Sequence, residues 1–392
     1  MSNSDLAPTP PEHSIATTPE AAPAPTLRGT CYVVFAHDIG LTVNLDAAER
    51  ALARPSDRRV FERRRKLPSH FRYEPAPLRV ALDHPPLNVA GITSTPFAEV
   101  VLFDFGAISV TFEFPLTLPL PGLLELSEAL YDNADLLSRS SEVAAQILRM
   151  VSPAVTKPSL SKLVEDYVIY GVREIAPTTT AADLTAAQSE TLAQILRAEE
   201  TPLSQQEITD ALTCRIAFGT ADLAIVDWNA AILIDEALDD SRTVLEYANV
   251  ELLEMRYLDD QLDAALDRAH AVLTRHLRGG RIWPDPALAS LRELAELRMD
   301  NVALFEGVNN ALKLIGDQYL ARLYRLAAQR LHLADWDTSI LRKLDALESA
   351  CEKVSTLAAH RRAELLEWII IILITGSIGL ELISLGMQHF GR

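Results

Sequence analysis

His37 and Asp38 follow the strand-like run TCYVVFA and are the first candidates for general-base catalysis. An imidazole beside a carboxylate can act as a general base near neutral pH. The alternative is that the Asp38 carboxylate caps the turn that follows the strand. The pair stands alone in the sequence, and the sequence therefore favours the turn cap.

A second group of chemistry-bearing residues is acidic and lies on a predicted helix. Asp259, Asp260 and Asp263 crowd one helical surface, and carboxylates in such a group could bind a divalent metal. Arg256 lies three and four residues before the first two and could pair with them instead. The sequence favours ion pairs over a metal site.

Motifs that would identify an enzyme are missing from the sequence. It contains no GxGxxG, no GxxxxGK, no HExxH and no GxSxG. Its three cysteines, Cys31, Cys214 and Cys351, are far apart, which argues against a disulfide framework or a CxxC metal site. We therefore predict no enzyme, with no catalytic residue, no cofactor and no metal.

The charge pattern contains one strongly basic segment in an acidic chain. The net charge of −18 disfavours general binding to nucleic acid, and we expect no DNA partner. Within "DRRVFERRRKL" the candidate partner contacts are Arg58, Arg59, Arg63, Arg64, Arg65 and Lys66. The alternative is a solvated surface with ion pairs.

The elements that would position these residues change in character along the chain. Residues 1–28 are a Pro/Ala-rich arm predicted to be disordered. Residues 29–238 interleave strand-like and helical runs and predict a mixed α/β domain. In that domain Trp228 ends a strand-like run, and we expect it in the core or an interface.

Helices dominate the rest of the chain. Residues 239–364 show apolar residues in steps of three and four, which predicts a long helical, coiled-coil-like stem. The overall fold class expected is therefore α+β, with a mixed N-terminal domain, a stem and a C-terminal transmembrane helix.

The C-terminal run "WIIIILITGSIGLELISLGM" is the basis for the membrane prediction. Residues 365–388 have about the length of a bilayer span, with Arg361 and Arg362 before it. The predicted anchor residues are Trp368, Ile369, Ile370, Ile371, Ile372, Leu373, Ile374 and Glu381. We expect a tail-anchored, single-pass protein whose folded part faces the cytoplasm, in a bacterial inner membrane or, in a eukaryote, the mitochondrial inner membrane.

Four stretches resemble a known family. "LEYANVELLEMRYLDDQLD", "DLAIVDWNAAIL", "VVLFDFG" and "RRAELLEWIIIILI" are similar to the required-for-meiotic-nuclear-division (YagE-type, sporulation-protein) family. The resemblance covers roughly residues 30 to 390. It implies a mixed α/β front, a helical stem, a membrane helix with a late acidic residue at Glu381, and a role in organelle translation without catalysis.

The function expected from these features is a membrane-tethered scaffold or adaptor that self-associates. Its expected partners are the lipid bilayer, a second copy of the chain, and the ribosome or another cytoplasmic complex. The alternative is a membrane-localised enzyme, a hydrolase or a nucleotide-dependent enzyme, of unrecognised type. A pocket with convergent acidic and histidine side chains would favour the alternative.

Overall fold

The computed structural model describes residues 25–52, 75–236, 238–277 and 318–390, together with Met299, Val302 and Phe305. The basic segment from Arg58 to Lys66 and the arm up to residue 24 lie outside the described residues.

The central element is a mixed sheet of eight strands in the order β10-β11-β12-β9-β1-β7-β6-β3. Neighbouring strands are antiparallel except β12 and β9, which are parallel. The remaining strands form the two small pairs β2-β8 and β4-β5. The strands are β1 (Thr26–Asp38), β2 (Thr42–Val43), β3 (Leu78–Asp83), β4 (Asn88–Val89), β5 (Ile92–Thr93), β6 (Phe97–Leu102), β7 (Ala107–Pro119), β8 (Val155–Thr156), β9 (Val164–Ala176), β10 (Arg215–Ile216), β11 (Leu223–Val226) and β12 (Ala230–Ile234).

Both faces of the sheet are buried, and β1 shows why. Its side chains alternate, so that Cys31 and Val33 join one apolar cluster while Tyr32 and Val34 join the other. A strand in the middle of a sheet covered on both faces is apolar at nearly every position, as β1 is from Cys31 to Ala36.

Among the described residues, six helices cover one face of the sheet and three cover the other. The helices are α1 (Leu45–Leu52), α2 (Leu120–Leu130), α3 (Ala134–Val151), α4 (Ala181–Ala187), α5 (Ser189–Arg197), α6 (Gln205–Ala211), α7 (Leu238–Leu277), α8 (Gln318–Arg330) and α9 (Leu333–Phe390). Helices α1 to α6 pack with Cys31 and Val33, and helices α7 to α9 pack with Tyr32 and Val34.

The long strand-like run from Ala98 to Leu116 is divided at Gly106. This glycine has a φ of 101°, and a Cβ there would lie 1.8 Å from the Gly40 carbonyl oxygen. Only glycine fits such a turn and such an approach. The turn makes β6 and β7 an antiparallel hairpin and holds the end of β1 beside it.

A buried network of charges joins the sheet to α7. Arg79 on β3 and Arg242 on α7 both donate to Glu99 on β6, and Arg79 also donates to Glu246 on α7 at 3.1 Å. Glu246 accepts from Ser109 on β7 at 2.7 Å. The four charged side chains are each 4% exposed or less. This network fixes the position of α7 on the sheet.

The C-terminal run forms part of α9, one helix of 58 residues. Among the described residues, no helix combines the length and the apolar content needed to cross a membrane. The transmembrane helix predicted over 365–388 is therefore wrong, and with it the tail anchor and the single-pass membrane localisation. The predicted anchor residues concerned are Trp368, Ile369, Ile370, Ile371, Ile372, Leu373, Ile374 and Glu381.

The apolar run is interrupted within α9. Trp368 to Ile374 without a break gives only about 10 Å of helix, against the roughly 30 Å of a bilayer core. Thr375, Gly376 and Ser377 follow directly, and the Thr375 and Ser377 hydroxyls donate back to the carbonyls of Ile371 and Ile374.

Candidate binding groove

A groove of about 480 Å³ opens where five segments of the chain meet. This volume lies in the range of small-ligand and peptide-side-chain pockets. The segments are the turn after α2, the start of β9, the β11–β12 turn, the middle of α7 and the α8–α9 junction. They contribute Tyr131, Asp132, Glu165, Asp166, Trp228, Asn229, Leu252, Arg256, Arg330, Leu331, His332 and Trp336.

Two left-handed residues shape the rim. Asp132 has a φ of 48° between α2 and α3, and His332 has a φ of 56° between α8 and α9. Both sit at helix ends, where such a conformation stops one helix and redirects the chain. The redirected chain brings Tyr131 and Trp336 to the same groove.

The aromatic side chains of the groove are accessible. Trp228 is 48% exposed and Tyr131 is 49% exposed, while Trp336 is half-buried. Of the two expected positions for Trp228, the core is therefore excluded, and the interface stays a prediction. Large aromatic side chains half-open to solvent around one groove offer flat surfaces to a ligand.

The cation Arg330 is fully engaged by protein carboxylates. Its Nε donates to Asp227 Oδ1 at 2.6 Å and its Nη2 donates to Asp210 Oδ2 at 2.8 Å. Arg197 binds the same two carboxylates at 3.1 and 2.6 Å. Asp227 also accepts from the Trp228 backbone N–H at 2.8 Å. This cluster of ion pairs therefore fixes the position of the tryptophan.

The second arginine of the groove, Arg256, is paired with Glu165. Burial raises the pKa of Glu165 to about 7, despite the opposing attraction of Arg256. The Asn249 side chain donates to the Glu165 carbonyl oxygen at 3.2 Å. Helix α7 therefore holds the start of β9 at two points.

Two carboxylates at the rim differ from these pairs. Asp132 and Asp166 are exposed, and neither forms an ion pair with any residue that the structure describes. Partial desolvation raises the pKa of Asp166, and the nearby Asp132 adds to this by repulsion. In the groove, the arginines are therefore bound by protein carboxylates, whereas these two aspartates have no ion-pair partner among the described residues.

Behind the groove, β1 and α7 bury a pair of acids. Asp38 is 2% exposed and Glu254 is fully buried. Asp38 Oδ2 and both Glu254 carboxylate oxygens accept no hydrogen bond within the described part of the chain. Burial raises the pKa of Asp38 to about 7, and burial together with Asp38 raises that of Glu254. Such a pair retains a proton at neutral pH.

The stability of the fold is expected to depend on this proton. Because the folded-state pKa of Asp38 lies above its unfolded value, the folded chain holds a proton that the unfolded chain releases. Stability is then lost as the pH rises through about 7. Between pH 6 and 8 the unchanged protein should lose about 1 kcal/mol relative to Asp38→Asn, measured by denaturant unfolding.

The comparison of the two pH profiles reports on Asp38 and Glu254 together, because Asp38 helps to raise the pKa of Glu254. Glu165 and Glu251, with pKa values raised to about 7 and about 8, contribute loss in the same direction. The pKa of buried His37 is lowered to about 4, which gives the opposite sign at lower pH. Glu165, Glu251 and His37 are present in both proteins, so parallel profiles would contradict a titrating pair of Asp38 and Glu254.

The fold separates the His37 and Asp38 side chains, which were considered as a general base and disfavoured. The His37 ring faces α3, where its Nε2 lies 3.1 Å from Ser140 Oγ, whereas Asp38 faces α7. Adjacent residues on a strand point to opposite faces, so the His37 imidazole and the Asp38 carboxylate do not form a catalytic pair. The carboxylate of Asp38 accepts from the backbone N–H of Gly40.

The acidic group on α7 is bound by a lysine. Lys343 on α9 lies 2.6 Å from both Asp259 and Asp263, while Arg256 pairs with Glu165 instead. Within the described residues, no cluster of three or more His, Cys, Asp or Glu side chains could hold a metal. The prediction that Arg256 pairs with these aspartates is therefore wrong.

Sequence reasoning missed most of the groove. Glu165 and Asp166 lie at the start of β9, before its apolar residues. Two acidic residues at the end of a buried strand are a sequence signal that could have indicated a site there. Nothing local connects Tyr131 with Trp336, because more than 200 residues separate them.

Comparison with known proteins places the sheet domain in a family. A family model described as "Uncharacterized protein MJ0711, N-terminal domain" matches residues 28–241, which is more than half of the chain. The chain belongs to this family. The match runs from the first strand into the beginning of α7. It does not test the resemblance to the required-for-meiotic-nuclear-division family, which stays a prediction.

The uncharacterized protein MJ0711 of Methanocaldococcus jannaschii is similar to this chain. The two are 26% identical over 155 residues, which cover 38% of this chain and 45% of the relative. The chain thus spans less than half the length of this relative. No solved structure matches the chain.

The family region contains only one side of the groove. Tyr131, Asp166 and Trp228 lie within the matched residues. Arg256 and Trp336 lie beyond them, on α7 and α9. The groove is therefore completed by the helices that follow the family domain.

Proposed function

We propose that this protein is a non-enzymatic adaptor that binds a segment of a partner protein in the groove. The observation that carries the proposal is the joint construction of the groove by the sheet domain and by α7, α8 and α9. A site at such a junction is a common position for ligands. The buried network of Arg79, Glu99, Arg242 and Glu246 supports the proposal, since it makes a fixed platform.

The alternative of an enzyme has weaker support. The groove does hold acidic residues and His332, and a Glu165 carboxyl with a pKa of about 7 could exchange protons. The described side-chain partner of Glu165 is Arg256, and His332 Nδ1 lies 3.1 Å from Asp335. These contacts include no nucleophile, so we propose no reaction.

The partner can be sought by cross-linking in the source organism. Trp336→p-benzoylphenylalanine places a photoreactive group in the groove, and Leu341→p-benzoylphenylalanine is the control, because Leu341 is 50% exposed on the same helix. The adaptor should give a discrete adduct at position 336 that is absent at position 341. Equal patterns at both positions, or no adduct, would contradict the adaptor function.

Two earlier expectations about partners stay predictions. They are self-association and contact with the ribosome or another complex through the segment from Arg58 to Lys66. The lipid bilayer is not proposed as a partner, since that prediction depended on a transmembrane helix.

A further inference from the structure

We propose that the groove binds a cationic side chain, arginine or lysine, in an extended segment of a partner protein. This ligand class rests on the adaptor function proposed above and adds the chemistry of recognition. The charges of the groove, its aromatic surfaces and the repulsion between its two free acids all fit this ligand class.

The charges of the groove favour a cation over an anion. Arg330 is bound by Asp227 and Asp210, and Arg256 is bound by Glu165. Each arginine would have to give up a protein carboxylate to bind a phosphate or a carboxylate. Asp132 and Asp166 have no such partner among the described residues and can accept from a guanidinium or ammonium group.

The aromatic surfaces fit the same ligand. Trp228 and Trp336 line the groove, with Tyr131 at its rim, and tryptophan attracts cations most strongly among the aromatic side chains. A side chain that enters between these surfaces would place its apolar stem on the rings and its charge near the acids. If a neutral apolar segment bound in the groove, the Asp132 and Asp166 carboxylates would lie next to it without a counter-charge.

The two free acids repel one another in the unliganded chain. Asp132 is close enough to raise the pKa of Asp166. A bound cation would convert this repulsion into two attractions, so binding should weaken as the pH falls and Asp166 is protonated. Nucleic acid would add phosphate charge to these acids and to a chain of net charge −18.

The experiment uses the full chain and fluorescein-labelled Gly/Ser peptides at about 0.15 M salt, where distant charges are screened. One peptide carries several arginines, a second carries glutamates at the same positions, and a third carries neither. Fluorescence anisotropy should show binding of the arginine peptide, with the other two at least about tenfold weaker.

Groove variants and matched controls locate the binding. Trp228→Ala should weaken the arginine peptide about tenfold, and the double variant Asp132→Asn, Asp166→Asn should do the same. The controls are Trp368→Ala and Asp345→Asn, exposed residues of α9 that do not line the groove, and both should retain the unchanged affinity. The two aspartates are exposed, so their double variant tests the proposal even if Trp228→Ala fails to fold.

The outcomes separate this inference from the adaptor function. Absence of arginine-peptide binding, or equal loss in the groove and control variants, would overturn the cationic ligand. Binding of the glutamate peptide or of a single-stranded RNA that depends on Trp228 would also overturn it, while leaving a binding groove. Groove-dependent arginine binding without an adduct at position 336 would support the ligand chemistry and count against the adaptor.

Discussion

Glu99→Ala should lower the free energy of unfolding by about 3–5 kcal/mol, the largest effect expected for this chain. Glu99 accepts from both Arg79 and Arg242, and all three side chains are 4% exposed or less. Its removal leaves the two buried guanidinium groups with Glu246, 3.1 Å from Arg79, and the more distant Glu113, 3.9 Å from Arg242. The loss should appear in denaturant unfolding monitored by circular dichroism.

Two further variants make this result specific. Glu99→Gln keeps the shape and one acceptor, so its loss should be smaller. Glu174→Ala removes an exposed partner of Arg28, where the two side chains are 58% and 54% exposed, and should cost less than about 1 kcal/mol. Equal losses at Glu99 and Glu174 would mean that the buried network does not hold α7 on the sheet.

The second large effect is expected at Asp227, which is fully buried and binds both Arg197 and Arg330. Asp227→Ala should lower the free energy of unfolding by about 2–4 kcal/mol. This range is below that for Glu99, because the two arginine side chains remain 17% and 15% exposed and keep Asp210. Thermal unfolding of the variant measures the loss.

Asp227 also positions the groove, and this gives a second readout. Its carboxylate accepts from the Trp228 backbone N–H, and its carbonyl accepts from the Tyr167 hydroxyl at 2.8 Å. Below its midpoint of unfolding, Asp227→Ala should therefore bind the arginine peptide more weakly than the unchanged chain. Asp183→Asn, an exposed change at the start of α4, is the control for both readouts. Unchanged stability and unchanged peptide affinity would show that Trp228 is held by other contacts.

Local patterns were sufficient for most of the strands and helices. The β-branched and aromatic run TCYVVFA predicted β1. Ser204 accepts from the Glu207 backbone N–H at the start of α6, as its residue type suggests. These features depend on neighbours in sequence, so a reader of the sequence alone can find them.

The prediction of a C-terminal transmembrane helix was wrong because it rested on amino-acid composition. Trp368 and the isoleucines after it have the residue types of a membrane span. A span also needs continuous apolar length, and the described helices lack it. Composition alone weighted the isoleucines over Thr375, Gly376 and Ser377, which end the run.

The sequence by itself determined the mixed sheet domain, the long helices after it and the acidic character of the chain. Only the tertiary structure decided which charges are paired and which are free. Arg256 was expected to pair within its own helix, and it pairs across to Glu165 on β9. Ion pairs and grooves form between segments distant in sequence, and local periodicity carries no information about which segments meet. The groove between Trp228 and Trp336 exists because packing on the sheet brings the β11–β12 turn and α9 together.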